Sequence, residues 1–470
     1  MASAKVFKSY LKTPFLILLA IEVCLLFVAV YIAAYLRYLN SASGFADIAE
    51  TLWQQAATLA IVTPIVMLAT GLYQGRIREG MAGILLRLLI SMIASGVLVA
   101  LLFYLFPALS VGRGIMVLAS VLSFFMLGTM RALFLELVDT DTFKRRVLVY
   151  GAGLTAAQID MKLRRKSDRR EFYIFGYVLL EYQKQKQVVD DSKLVQVEGS
   201  LLEYAKHQAI DEIVVATTDL AAEIPVDDLV ECKMNGIEVL DILSFFEREV
   251  GQVRVDIMDP HWLVASDGFN QSQIKDSMKR MFDLVASFIL LVVAAPFMLL
   301  TIIAIKLEEG LRAPVFYHQL RVGKGGKPYN VYKFRSMRTD AEQAGEAVWA
   351  TKTDSRVTRV GAFIRKTRID ELPQIYNALN GSMSFVGPRP ERPQFVEELA
   401  KEIPYYDERH LVKPGITGWA QLMYPYGSSV NDAYQKQLYD MYYIKNHTLF
   451  LDFLILLQTV EVVLFGKGAR

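Results

Sequence analysis

The chain has 470 residues, 53% of them hydrophobic, and a mean hydropathy of +0.29; it is too apolar for an ordinary soluble protein and long enough for more than one domain. Lys plus Arg (51) nearly cancels Asp plus Glu (49), so only the distribution of charge carries information. Two cysteines, one of them (Cys24) inside an apolar run, exclude a disulfide framework, and five scattered histidines exclude a centre with zinc-ligand spacing.

The N-terminus is basic (Lys5, Lys8, Lys12), and the apolar run after it is about 23 residues with no clean small-residue cleavage site. A spanning helix is expected there rather than a cleaved signal peptide. Four apolar segments, 14–36, 51–73, 84–106 and 115–138, are each long enough to cross a hydrocarbon core of about 30 Å. Arg76, Arg78 and Arg87 surround the second loop, Lys144, Arg145 and Arg146 follow the fourth segment, and Asp47 and Glu50 lie in the first loop. The positive-inside rule therefore places both ends of this bundle in the cytoplasm. Glu22 sits in the middle of the first segment. An intramembrane carboxylate flags function, but an interhelical hydrogen bond is the expected role.

Residues 144–256 alternate strand and helix patterns. RRVLVYGAGLTAAQI, DEIVVATTD and GIEVLDI each supply a strand, which predicts a parallel α/β sheet. Gly151, Gly153 and Ala156 match the G-x-G-x-x-A phosphate fingerprint. The helix after them is basic (Lys162, Arg164, Arg165, Lys166, Arg169, Arg170), and no acidic residue closes a second strand to hold a ribose. A scaffold that keeps the tight turn is expected, with a regulatory ligand site as the alternative.

Residues 282–307 are as apolar as the first four segments, with Pro296 in the middle and basic flanks (Lys279, Arg280, Lys306). Proline removes a helical hydrogen bond and kinks the helix. Basic flanks on both sides favour a helix that enters one leaflet and returns; a kinked spanning helix is the alternative.

From Arg312 to Ile369 there are thirteen Lys or Arg against four Asp or Glu. Such a surface beside a membrane helix attracts anionic lipid or holds a diphosphate; nucleic acid is not expected. The dyad Asp370-Glu371 follows, with Asp370 expected at a helix N-cap and Pro373 in the first turn. Its bland role is a cap and dipole partner. Its chemical role is an aspartyl-phosphate nucleophile, provided that cations neutralise the substrate's charge. GSMSFVGPRPE holds Arg389 between two prolines, and KPGITGWAQ is a turn with Trp419 beside it; loop packing explains either as readily as function. The apolar tail, interrupted by Asp452 and Glu461, reads as a helix lying on the interface.

The runs KRMFDL, PVFYHQLRVG, VYKFRSM, TRIDELPQ, GSMSFVGPRP, KPGITGWAQ and YDMYYIKN occur together in this order. In them the chain resembles the monotopic phosphoglycosyl transferases of the bacterial sugar transferase family. The N-terminal part resembles the large form of that family, and the C-terminal part a subgroup tied to exopolysaccharide and exosortase systems. The resemblance implies a membrane α plus α/β architecture: a four-helix transmembrane bundle (1–143), a Rossmann-like parallel α/β domain (144–256), a linker (257–278) and a catalytic domain (279–470). The last would carry a re-entrant helix at about 280–307, broken at Pro296.

It further implies transfer of a hexose-1-phosphate from a UDP-sugar to polyprenyl phosphate, with UMP released, at the cytoplasmic face of the bacterial inner membrane. Asp370 would be the nucleophile. Glu371 would help to place Mg²⁺ or the incoming phosphate, with Asp370 and Glu371 as the metal ligands. Lys333, Arg335, Arg365, Arg368 and Arg389 would hold phosphate oxygens, and Asp440 is a further acid near the site. Membrane lipid is an expected partner, nucleic acid is not, and a homodimer is a family-based expectation. The run LMYPYGSS lacks the arginine that some members carry after GITGWAQ. Two other readings predict different features: a nucleotide-sugar dehydratase or epimerase would need the Tyr182–Lys186 pair in its site, and a non-catalytic scaffold would tolerate loss of Asp370.

Overall fold

The structure is a computed structural model. It describes residues 13–39, 42–73, 81–107, 112–138, 144–164, 169, 172–180, 187–216, 225–258, 269, 272–338, 356–424, 427 and 429–464. The chain divides into two units, with the boundary between Phe245 and Phe246. Arg76, Arg78, Arg165, Lys166, Arg170, Lys352 and the Tyr182–Lys186 pair lie outside the described residues, as does most of the expected linker.

The first unit begins with four long helices, α1 (Thr13–Arg37), α2 (Ala42–Ala69), α3 (Met81–Leu105) and α4 (Arg113–Val138). All four are long and apolar enough to cross a membrane. Ala29, Ala33, Ala34, Ala56 and Ala119 are buried, and small side chains let helix backbones approach closely where lipid offers no hydrophobic drive. Large apolar residues such as Ile61, Val97 and Phe125 face outward instead.

Glu22 is fully buried. It accepts from Arg131 Nη2 at 2.9 Å and from the Tyr73 hydroxyl, and Arg131 Nε lies 2.7 Å from its other oxygen. The intramembrane carboxylate is therefore a tie between α1, α4 and the chain end of α2. Arg131 and Arg87 also donate to the carbonyls of Leu72 and Thr70, both at 2.7 Å. Cations thus satisfy acceptors that a helix C-terminus leaves open. Arg87, counted above as a loop charge, is buried inside α3 for this purpose.

The α/β part follows as β1 (Arg145–Tyr150), α5 (Leu154–Lys162), β2 (Phe172–Val178), β3 (Leu194–Val195), α6 (Leu201–His207), β4 (Glu212–Val215), α7 (Val226–Met234) and β5 (Glu238–Asp241). The five strands are parallel, in the order β3-β2-β1-β4-β5. The sequence reading named β1, β4 and β5; β2 and β3 are additions. Gly176 in β2 admits no side chain, because a Cβ there would stand 2.4 Å from Val195. Gly151 turns the chain at φ +127°. Arg169, from the basic stretch after α5, and Lys193 both bind Asp160, and Arg169 donates to the Leu163 carbonyl. Helix α8 (Ile242–Val250) follows β5.

The first long helix of the second unit is α9 (Gln273–Glu309), which is 37 residues long and, among the described residues, the fifth helix apolar enough to cross a membrane. It starts within the expected linker. Pro296 lies inside it and does not end it: the helix is one element and not two, because a proline removes one hydrogen bond and leaves the turns on either side intact. Asp283, Ser287, Ala294, Thr301 and Ile305 are buried. Steps of four and seven residues put them on one stripe. Phe288, Ile289, Val292, Val293, Phe297 and Leu300 are exposed around it.

Both ends of α9 are tied to the same unit. Near the start, Asp283 accepts from Ser384 Oγ (2.8 Å) and the Phe385 amide (3.1 Å), and Arg280 donates to the Ala378 and Leu379 carbonyls (2.6 and 2.5 Å). Near the finish, Glu308 accepts from the Arg359 and Val360 amides (2.8 and 2.9 Å), and Ile305 packs with Phe334 and Ile364.

After α9 come a hairpin, β6 (Phe316–Val322) and β7 (Pro328–Phe334), then α10 (Arg359–Lys366), α11 (Gln374–Asn380), β8 (Ser384–Val386), α12 (Pro393–Glu402), β9 (Gly415–Thr417), α13 (Trp419–Met423), α14 (Val430–Asn446) and α15 (Leu449–Leu464). Asp452 of α15, read above as an interruption of the tail, is 1% exposed and pairs with Lys279 at 2.6 Å.

Candidate active site

The site is assembled from a hairpin strand, a one-turn helix and two glycine-containing loops. The two loops hold each other. β8 and β9 pair in parallel, with Ser384 opposite Gly415 and Val386 opposite Thr417. The Gly387 amide donates to Thr417 O, and the Gly415 amide donates to Pro388 O, each at 2.9 Å. A Cβ on Gly415 would stand 2.1 Å from Gly387 N, and one on Gly418 2.3 Å from Gly387 O. These glycines are there because backbone meets backbone. The GPRP loop that carries Arg389 is thereby fixed by the KPGITG loop.

Asp370 and Glu371 lie in a single 3₁₀ turn, Ile369–Glu371. Asp370 is not the N-cap of the next helix, as the sequence reading expected; α11 starts at Gln374, with Pro373 in the cap position. Arg368 adopts a left-handed conformation, φ +60°, which turns the chain just before the dyad. A non-glycine residue holds that conformation only at a cost, and such strain gathers at functional positions. Asn377 of α11 accepts from the Tyr332 amide at 3.0 Å and donates to Asn330 O at 2.7 Å, which clips α11 to β7 and so sets Lys333 beside the dyad.

Glu371 is the electrostatic hub. One of its oxygens lies 2.9 Å from Lys333 Nζ, 3.1 Å from Arg389 Nη2 and 3.7 Å from Arg368 Nη1. Burial pushes its carboxyl up, but Lys333, Arg389 and Arg368 outweigh that and hold it well below the usual carboxylate range. Asp370 differs. It is 8% exposed, and its Oδ1 is buried without a hydrogen-bond partner among the described residues. Burial raises its carboxyl above the usual range, against the pull of Lys333. One carboxylate thus gathers the cations while its neighbour keeps an uncommitted oxygen.

The structure brings Lys333, Arg368 and Arg389 together at Glu371. Arg365 is within electrostatic reach of Asp370, and its Nε donates to Ser336 Oγ at 2.9 Å. Arg335 makes no ion pair with the dyad among the described residues; its amide bonds Val315 O, and its Nε is buried without a partner. Asp440 does not touch the dyad. It is buried and pairs with Arg409 at 2.9 Å, and burial pushes its carboxyl up to about 6.

Arg409 is the residue that sequence reasoning missed. It is 7% exposed, it donates to the Arg389 carbonyl at 3.0 Å, and its guanidinium stacks on the Tyr406 ring. In the sequence it sits in YYDERH, which looks like a solvated charge run.

Asp370 and Glu371 are hard oxygen donors. Among the described residues no group of three or more His, Cys, Asp or Glu is placed to hold a metal. The free Asp370 Oδ1 fits an ion such as Mg²⁺, which binds through one or two carboxylates and takes its other ligands from water and substrate phosphates.

The fold and the site together define a class: an apolar helix bundle and a parallel α/β domain, then a domain whose long apolar helix accompanies a carboxylate pair ringed by cations. Comparison with known proteins agrees. A family profile described as bacterial sugar transferase matches residues 274–466, and one described as CoA-binding domain matches residues 68–235. The chain is 44% identical over 242 residues to the UDP-N-acetylgalactosamine-undecaprenyl-phosphate N-acetylgalactosaminephosphotransferase of Aeromonas hydrophila, covering 52% of this chain and 56% of that one. It is 33% identical over 340 residues to the undecaprenyl-phosphate glucose phosphotransferase of Komagataeibacter xylinus, covering 70% and 61%. It is 40% identical over 200 residues to the exopolysaccharide production protein PSS of Rhizobium leguminosarum bv. phaseoli, covering 41% of this chain and 98% of that one. This chain belongs to the bacterial sugar transferase family. The matches span somewhat over half the length of the first two relatives.

Proposed function

We propose that the chain transfers a hexose-1-phosphate from a UDP-sugar to a polyprenyl phosphate at the cytoplasmic face of a bacterial inner membrane. The observation that carries this reading is the division of labour in the dyad. Glu371 collects Lys333, Arg368 and Arg389, whereas Asp370 keeps a buried oxygen free. A desolvated carboxylate with a free lone pair is a competent nucleophile once neighbouring cations offset the charge of the phosphate it attacks.

In the proposed reaction an Asp370 oxygen attacks the β-phosphorus of the UDP-sugar. The bond to the bridging oxygen breaks, and its electron pair leaves on UMP. The phosphosugar stays on Asp370 until an oxygen of the polyprenyl phosphate attacks the same phosphorus and frees the carboxylate. Lys333, Arg368 and Arg389 hold phosphate oxygens in both steps, and Arg365 adds positive potential at Asp370. When bound at Asp370 and Glu371, Mg²⁺ would neutralise charge on the substrate's phosphates.

A helix whose two ends are fastened to one unit and whose middle is an exposed apolar surface suits entry into, and return from, a single leaflet. That arrangement supports a re-entrant α9, which in this reading would hold the site level with the lipid headgroups. The relatives' names speak for glucose or N-acetylgalactosamine as donor sugars and for exopolysaccharide assembly as the setting. The test supplies the purified chain with Mg²⁺, undecaprenyl phosphate and a panel of UDP-sugars. UMP release with one donor, together with a phosphosugar adduct on the chain that Asp370→Asn abolishes, is expected. UMP release that survives Asp370→Asn defeats the nucleophile assignment.

A further inference from the structure

The sequence reading puts residues 247–256 in the α/β domain, yet they belong to the second unit, where Gly251 to Val255 are buried. This stretch is bonded to α14. Glu247 accepts from Lys445 Nζ at 2.8 Å and from Asn446 Nδ2 at 2.7 Å, and the Val253 amide donates to Leu438 O at 3.0 Å. Between these ties, the Gly251 carbonyl accepts from the Trp419 indole N–H at 2.9 Å. Trp419 is 4% exposed, and its ring stacks on Tyr442 of α14. Gly251 has φ +68°, and a Cβ there would stand 2.9 Å from Trp419 Cζ2. Only glycine lets the main chain lie this close to the indole. A buried N–H left without its acceptor costs about 1–3 kcal/mol, so the bond to Gly251 holds the ring in place. The whole stretch precedes the family match, which starts at residue 274.

Trp419 directly follows the loop that braces the GPRP loop. The Gly387 amide donates to Thr417 O at 2.9 Å, and Arg389, two residues on, lies 3.1 Å from Glu371. α14 reaches the same point by another route, since its Asp440 holds Arg409, which donates to the Arg389 carbonyl. We propose that residues 247–255 are a clamp on the active-site loops, with Trp419 as a positioning residue. Its anchor at Gly251 O sets the KPGITG loop, and that loop sets the aim of Arg389 at the dyad. The support of the site then begins near Glu247, ahead of the catalytic-domain boundary that the sequence suggests at residue 279. The proposal rests on the phosphosugar-transfer reading above, in which Arg389 holds phosphate oxygens.

The test uses the full chain in nanodiscs, with Trp419→Phe, which keeps a ring but removes the N–H, and Glu247→Gln, which weakens the clamp at its other end. With saturating UDP-sugar, the single-turnover rate of adduct formation on Asp370 is expected to fall about tenfold in Trp419→Phe and by less in Glu247→Gln. In an Arg389→Lys background, Trp419→Phe should cost no more than about twofold, because its effect passes through Arg389. Hydrogen exchange read by mass spectrometry is independent of turnover. Exchange across 384–390 should rise in both variants, about tenfold in Trp419→Phe, while α10 exchanges as in the wild type. Wild-type rates in both variants, even with a lower unfolding temperature, overturn the proposal, as does an undiminished fall in the Arg389→Lys background. Unchanged exchange across 384–390 overturns it as well. If the wild type forms no adduct, the reaction reading fails, and the exchange measurement alone still decides the clamp.

Discussion

The Arg409 guanidinium stands 2.9 Å from the Asp440 carboxylate and 3.0 Å from the main-chain carbonyl of Arg389. One buried cation therefore joins α14 to the loop that aims Arg389 at Glu371. Replacing Arg409 with Met strands a buried carboxylate, a loss of about 3–5 kcal/mol. It also frees the loop, and a displacement of about 1 Å at a site can lower turnover about 10²-fold. Thermal unfolding checks the first effect and single-turnover kinetics the second. A variant that unfolds early yet reacts at the wild-type rate would show that Arg409 only stabilises.

Acid titration should separate two carboxylates. The Asp440 pKa, pushed by burial to about 6, lies above its unfolded value of about 3.9. The folded state binds this proton more tightly, so the associated stability is full below about pH 4 and is lost as pH rises through about 6. Asp440→Asn should flatten the unfolding temperature across that window. Glu371 has the opposite sign. Its folded pKa is depressed, so its contribution is present above about pH 4.3 and is lost as pH falls further. Glu371→Gln should be destabilised at pH 7 relative to the wild type, and that gap should narrow in acid. A gap that widens in acid would contradict the cation hub.

Two glycines should behave differently. Gly415→Ala places a Cβ 2.1 Å from Gly387 N, and the β8–β9 pair cannot yield without losing its hydrogen bonds. A cost of about 3 kcal/mol or more is expected, along with loss of UMP release. Gly326→Ala meets nothing within 4 Å, so the only cost is holding alanine at a φ of +73°, about 1 kcal/mol. Equal effects on unfolding in detergent would remove the argument that backbone contact between the two loops positions Arg389.

The apolar bundle makes its own prediction. Glu22→Ala leaves Arg131 buried opposite an empty space, at about 3–5 kcal/mol. Adding Arg131→Met should recover part of the loss, because the uncompensated charge is then gone. A double variant no better than Glu22→Ala, by thermal unfolding in detergent, would mean that the pair is not a tie.

Much of this protein is written locally. A run of twenty apolar residues has few alternatives to a membrane-length helix, so 14–36, 84–106 and 115–138 lie close to α1, α3 and α4. The glycine turn after RRVLVY likewise reads directly as strand, turn and helix. Strand β2 was not legible, because FYIFGYV lacks an alternating pattern and its glycine is explained only by Val195 on the next strand. The motif set drew attention to Asp370, Glu371, Lys333 and Arg389 and, through the resemblance, to expected roles for each, but not to how they are arranged around one another. Only the tertiary structure showed that Glu371 takes the cations while Asp370 Oδ1 has no hydrogen-bond partner among the described residues, that Arg368 turns the chain just before the dyad where Asp370 was expected to cap a helix, and that Asp440 pairs with Arg409. The physical reason is range. Hydrophobic period and turn chemistry act over a few residues, whereas burial, ion pairing and backbone-to-backbone packing depend on partners 20 or 31 positions away, as for Arg409.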